Sequence, residues 1–154
     1  MIFNKFLKKS RRIQFSVDDK PPKKSTADSC WTSKEVNHVF ELRKKALEAR
    51  KKAGLNDCFT CPVRITLTVY APNILHRKDR SDYVGDLDSI VGGVCESLRS
   101  ADEQVGHVPI FAGYDEIAPK VPLILEDDDQ VKEIIADKKV ENKTHYIVVI
   151  EPLE

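Results

Sequence analysis

Gly85-Asp86-Leu87-Asp88-Ser89 sets two carboxylates one residue apart, and Glu126-Asp127-Asp128-Asp129-Gln130 supplies a second acidic run about forty residues later. Side chains of this kind, paired locally and complemented from a distance, suit a hard divalent cation, because Mg2+ takes carboxylate and water oxygens and Mn2+ accepts the same donors. A metal beside a phosphodiester can activate water and offset developing charge, so the chemistry in prospect is metal-dependent cleavage of nucleic acid. The same residues have a plainer use. Asp86 or Asp88 could cap the helix that follows, and the second run could be a solvated turn.

The cations are arranged to suit an anionic substrate. His76-Arg77-Lys78-Asp79-Arg80 comes just before the acidic pair, and Pro21-Pro22 stiffens a loop that carries Lys23 and Lys24. Net charge is zero over the 154 residues, yet residues 1–80 hold 19 Lys/Arg against 8 Asp/Glu, whereas residues 81–154 hold 6 against 17. A basic half can contact phosphates while an acidic half ligates metal. Attraction between the two halves in the folded chain is the simpler explanation of the same asymmetry.

Several classes are excluded or disfavoured. A hydrophobic content of 41% with 32% charged residues describes one globular domain. No apolar run is long enough to span a membrane, and Met1 to Ser10 is basic without the apolar core of a signal peptide, so a cytoplasmic protein with no membrane partner is expected. Residues 1–10 read as a basic leader, a candidate for disorder, ahead of a domain spanning 11–154. Cys30, Cys58, Cys61 and Cys95 show no disulfide framework; Cys58-Phe59-Thr60-Cys61 is a lone CxxC without a second ligand pair, which reads as reduced thiols near a turn rather than a zinc site.

The elements that must position these residues follow from periodicity. Arg12 to Val17 alternates as a half-buried strand. Thr32 and Glu35 form a capping box, with Trp31 and Val36 as a hydrophobic staple, opening a helix from about Ser33 to Ala53 that Gly54 closes. Its polar face carries Arg43, Lys44, Lys45, Lys51 and Lys52, and is either solvated or close to nucleic acid. Val63 to Tyr70 is the strongest strand signal. Leu87, Ile90, Val91, Val94, Cys95 and Leu98 recur at helical spacing, so the acidic pair opens a second helix. Gly92-Gly93 inside it costs about 1 kcal/mol per glycine relative to alanine, which calls for a close approach at that point. Residues 100–120 read as a long irregular loop. Val131 to Val140 and His145 to Glu151 are the last strands, the final one apolar on both faces and hence interior or covered.

In this order, Asp86-Leu87-Asp88-Ser89, the amphipathic helix after it and Asp127-Asp128-Asp129-Gln130-Val131 resemble the motifs of RusA-type Holliday junction resolvases. That family carries Asp-Leu-Asp-Asn before a helix and Asp-Asp-x-Gln-Val at the next strand, and Pro21-Pro22 resembles its proline-bearing loop. The likeness runs from about Ile13 to the C-terminus. It implies a single α+β domain, a mixed sheet of about four strands packed with two main helices in the order β-α-β-α-β-β. It implies a homodimer that nicks four-way DNA junctions in recombination or repair with Mg2+ or Mn2+. Asp86, Asp88 and Asp128 would be catalytic metal ligands with Asp127 beside them, and Lys23, Lys24, Arg77, Lys78, Arg80 and Lys138 would bind DNA. Ser89 stands where the family has Asn, and Gly92 where it often has lysine. The second departure leaves a non-catalytic junction- or nucleic-acid-binding protein of the same fold as the alternative.

Overall fold

The computed structural model of the chain describes residues 11–78 and 81–153. The leader 1–10, Asp79 and Arg80 lie outside the described residues. Six main elements follow in order: β1 (Ile13–Val17), α1 (Val36–Lys52), β2 (Val63–Ala71), α2 (Leu87–Leu98), β3 (Val131–Val140) and β4 (His145–Pro152). They form the expected α+β domain of one mixed four-stranded sheet and two helices, with strand order β1-β4-β2-β3. β4 runs antiparallel to both neighbours, and β2 and β3 are parallel. A parallel pair needs a crossover, and the chain from β2 through α2 to β3 supplies it.

Register explains both the core and the placement of one cation. Phe15 stands opposite Val148, Val148 opposite Leu67 and Leu67 opposite Ala136, so one row of side chains crosses the whole sheet on a single face. The row above it contains Val17, Tyr146, Val69 and Lys138. Alternate residues share a face, so Lys138 projects to the side where the helices pack. α1 packs on β1 and on α2, and α2 reaches β3. Phe15, Leu67, Val69, Val148 and Ile150 are buried between them, together with Val39, Leu42, Ala46, Ile90, Val94 and Leu98 from the helices. β4 is interior in the sheet, as its two apolar faces demand.

Three local expectations are corrected. α1 starts at Val36 rather than Ser33, and the Thr32–Glu35 capping box does not form. The Glu35 carboxylate instead accepts the Lys23 backbone N–H at 2.8 Å, because the proline loop lies close enough to compete for it. Arg43 is not on the solvated face of α1: it is fully buried, and all five of its N–H groups donate to the carbonyls of Ser97, Arg99, Ile117, Ala118 and Val121 at 2.7–3.0 Å. Residues 100–120 are therefore clamped. They contain two 3-10 turns, Pro109–Phe111 and Asp115–Ile117, and an aromatic cluster in which Phe40 meets Phe111 and Tyr114 edge-on. Gly54, at φ 76°, ends α1 as expected, since the left-handed turn there favours a residue without Cβ. No helix among the described residues is long and apolar enough to cross a membrane.

Candidate active site

The acidic pair is carried on a loop that Asn73 organises. Its side-chain carbonyl accepts the N–H groups of Leu75 and His76, and its amide donates to the His76 carbonyl and the Asp82 carboxylate at 3.0 Å each. The loop then passes Tyr83 and turns at Gly85, where φ of 113° favours glycine. Asp86 follows in extended backbone at the start of α2, but its side chain makes no cap. The carboxylate faces outward, accepting the Tyr83 hydroxyl at 2.7 Å, with an Arg77 guanidinium nitrogen 3.7 Å away. The Tyr83 hydrogen bond first, then Arg77, hold this acid below the usual carboxylate range, and Lys138 and Lys23 add to the effect. The same hydrogen bond pushes the Tyr83 phenol up. Asp88 stands exposed in the first turn of α2.

Lys138 donates to the Gly85 carbonyl at 2.9 Å, and its ammonium lies 5.2 Å from the Tyr83 ring centroid. Expected to contact DNA, it stands beside Asp86 and ties β3 to the acidic loop. Lys23 and Lys24 come from the other side on the proline loop, and Lys78 is exposed past Arg77. A cavity of about 360 Å3 opens between these segments, with Lys23, Lys24, Lys34 and Arg77 around Asp86 and Tyr83.

The second acidic run is fixed by Gln130. Its side-chain carbonyl accepts the N–H groups of Glu126 and Asp127 at 2.7 and 2.8 Å, while its amide donates to the carbonyls of Phe59 and Cys61 at 2.7 and 3.0 Å. All four hydrogen bonds lock the run against the segment leading into β2. Asp127 caps the short 3-10 turn Asp128–Gln130, and the Asp129 N–H it accepts, followed by the Asp128 side chain, holds its carboxyl below the usual carboxylate range. Asp128 is exposed, with its carboxylate 3.9 Å from Arg99 Nε.

Asp86 is thus brought together with Lys23, Lys24, Arg77 and Lys138, whereas Asp88, Asp127 and Asp128 lie outside the cavity. Arg80 falls outside the described residues. The donors are of the right chemical kind for a hard cation, being carboxylates open to solvent. They are not collected: among the described residues no group of three His, Cys, Asp or Glu side chains is placed to hold a metal. Asp86 and Asp128 each have an arginine partner instead. The cysteines are all free thiols; burial first, with Asp128 second, pushes Cys95 up to about 11, and burial also raises Cys58.

Sequence reasoning missed Tyr83, Lys34 and Arg99 and gave Gln130 no role. Arg99 was within reach, because it follows Asp88, Gly92 and Cys95 at helical spacing, although its backbone is extended just past the end of α2. Tyr83 and Lys34 carry no such signal, since only the meeting of separate segments places them here. Compared with protein-family models and with curated proteins, the chain finds no match.

Proposed function

We propose that this chain is a metal-dependent, structure-selective endodeoxyribonuclease that acts on four-way DNA junctions as a homodimer, in recombination or repair. The observation that supports this reading best is the Asp86 carboxylate, held below its ordinary range by Tyr83 and Arg77 at the edge of a cavity furnished with four cations. Such a cavity attracts a phosphodiester, while the carboxylate remains an oxygen ligand. To hold Mg2+ or Mn2+, Asp86, Asp88 and Asp128, with Asp127 beside them, would have to draw together, Asp86 and Asp128 giving up their arginine partners. When bound, the ion supplies an acidified water and polarises the scissile phosphate.

The chain's own residues do the rest. Lys23, Lys24, Arg77 and Lys78 contact phosphates without reading bases, which suits recognition by shape. Lys138 and Gln130 keep the two acidic segments in place through the bonds described above. The test is cleavage of a synthetic four-way junction in Mg2+ or Mn2+. Asp88→Asn and Asp128→Asn are each expected to lower the rate at least about 100-fold and leave junction binding intact; undiminished cutting by both variants would exclude the assignment.

A second reading is favoured by the arginine partners of Asp86 and Asp128 and by the ungathered carboxylates: a junction-binding protein without nuclease activity. Tight metal-independent binding without cleavage in either ion separates it from the first.

A further inference from the structure

Two consecutive glycines in the middle of α2 weaken the helix, and the structure gives a steric reason for the second. A Cβ on Gly93 would overlap the carbonyl of Pro22, so the proline loop can lie in contact with the helix only if that residue is glycine. Both prolines are buried there. The Lys24 backbone N–H donates to the Ser89 carbonyl at 3.0 Å, in the first turn of α2. From that point the Lys24 side chain runs along the helix. Its Cβ, Cγ and Cδ pass 3.6–3.8 Å from where a Gly92 Cβ would be, and its ammonium reaches 3.5 Å from Glu96 Oε2.

Glu96 is unusual. It is only 5% exposed, and Oε2 is buried without a hydrogen-bond partner among the described residues. A charge buried in this way must be compensated, and Lys24, 44% exposed, is the cation beside it. The close approach that Gly93 permits and the buried carboxylate of Glu96 thus place a single lysine along the helix, where a Cβ at Gly92 would meet it only at ordinary van der Waals distance. That lysine lines the same cavity as Asp86 and lies on the helix that presents Asp88.

We infer that Lys24 is the cation that meets a substrate phosphate at the acidic pair, and that Glu96 is the positioning residue that anchors it along α2. The inference rests on the nuclease reading only for its rate effects. Its binding consequences are measurable without metal.

The experiment uses the full chain and a synthetic four-way junction. Affinity is measured against salt concentration without divalent ions, and single-turnover cleavage in Mg2+. Lys24→Ala is expected to reduce the slope of log affinity against log salt by about 0.9, the share of one phosphate contact on duplex DNA, and to slow cleavage about 100-fold. Lys24→Ala combined with Gly92→Lys returns an ammonium to the vacated space and is expected to recover the slope and at least about tenfold of the rate. Glu96→Gln leaves the lysine charged but loosely held, so the slope stays near the parent's while cleavage falls about tenfold.

A Lys24→Ala slope equal to the parent's overturns the assignment of Lys24. So does a folded double variant that recovers neither slope nor rate. Parent-like cleavage by Glu96→Gln overturns the anchoring role. A parent protein that binds junctions and cuts none overturns the nuclease reading alone, and the salt slopes then still decide Lys24.

Discussion

Arg43 and Arg77 are the same residue type used in opposite ways. Arg43 is fully buried, and its fork is spent on five backbone carbonyls that join α1 to the end of α2 and to the long loop. Burial pulls its guanidinium down to about 10, and five carbonyl oxygens with a tryptophan ring 5.6 Å away keep company with the charge. Arg77 is 76% exposed and, among the described residues, has one ion pair, at 3.7 Å, with the acid it accompanies. A fully satisfied cation has nothing left to give a ligand and acts as a clamp. An exposed cation held by one weak pair can exchange that partner for a phosphate at little cost. The clamp region and the mouth region therefore divide the labour between rigidity and binding.

That contrast predicts effects of very different size. Arg43→Ala leaves several carbonyls unpaired in the interior and is expected to cost about 3–5 kcal/mol. Arg43→Lys recovers only part of it, because an ammonium has three donors and no fork; denaturant unfolding measures both. If Arg43→Ala unfolds at the parent's midpoint, the clamp is not structural and the contrast collapses.

Gln130→Ala removes four hydrogen bonds at a partly exposed site and is expected to cost about 1–2 kcal/mol. Hydrogen exchange should locate the change at the Glu126 and Asp127 amides, both now bonded to the Gln130 side chain. Unchanged protection there would show that the acidic run holds its shape without that residue.

The entry to the proline loop gives a pH signature. His38 Nδ1 is 2.8 Å from the Asp19 carboxylate, and that hydrogen bond, against an opposing effect of burial, raises the imidazole above its ordinary value. A raised folded-state value means the contribution is fully present below about pH 6.5, the unfolded value, and is lost as pH rises through the folded one. Stability measured across that window should therefore fall with rising pH, and Asp19→Asn should flatten the profile. A parent profile that is already flat would remove the pair as a link between loop and α1.

The smallest effect concerns Tyr83→Phe. Loss of the hydroxyl should raise the Asp86 pKa towards its ordinary value, detectable as a shifted carboxylate titration by NMR, with almost no change in stability because the group is half exposed. An unmoved titration would assign the depression to Arg77 and the lysines.

Much of the fold was legible because it rests on periodicity. The alternation of β2, the apolar faces of β4 and the helical spacing of α2 identified their elements to within a residue or two. The capping box at Thr32 and Glu35 misled, since sequence spacing cannot show that the Lys23 amide competes for the same carboxylate. Arg43 misled for a similar reason. A cation on the polar side of a helix looks solvated until a loop more than seventy residues away wraps over it.

By itself the sequence determined which residues carry charge and which elements carry them: two acidic segments, a stiff basic loop and a cationic run before the pair. Only the tertiary structure decided how those charges meet. It turned Asp86 towards Tyr83 and Arg77, gave Asp128 to Arg99, spent Arg43 on the interior and laid Lys24 past Gly92 towards a buried Glu96. The reason is one of range. Propensity and periodicity act over a few residues, whereas electrostatic partners are chosen by segments that become neighbours only when the core closes.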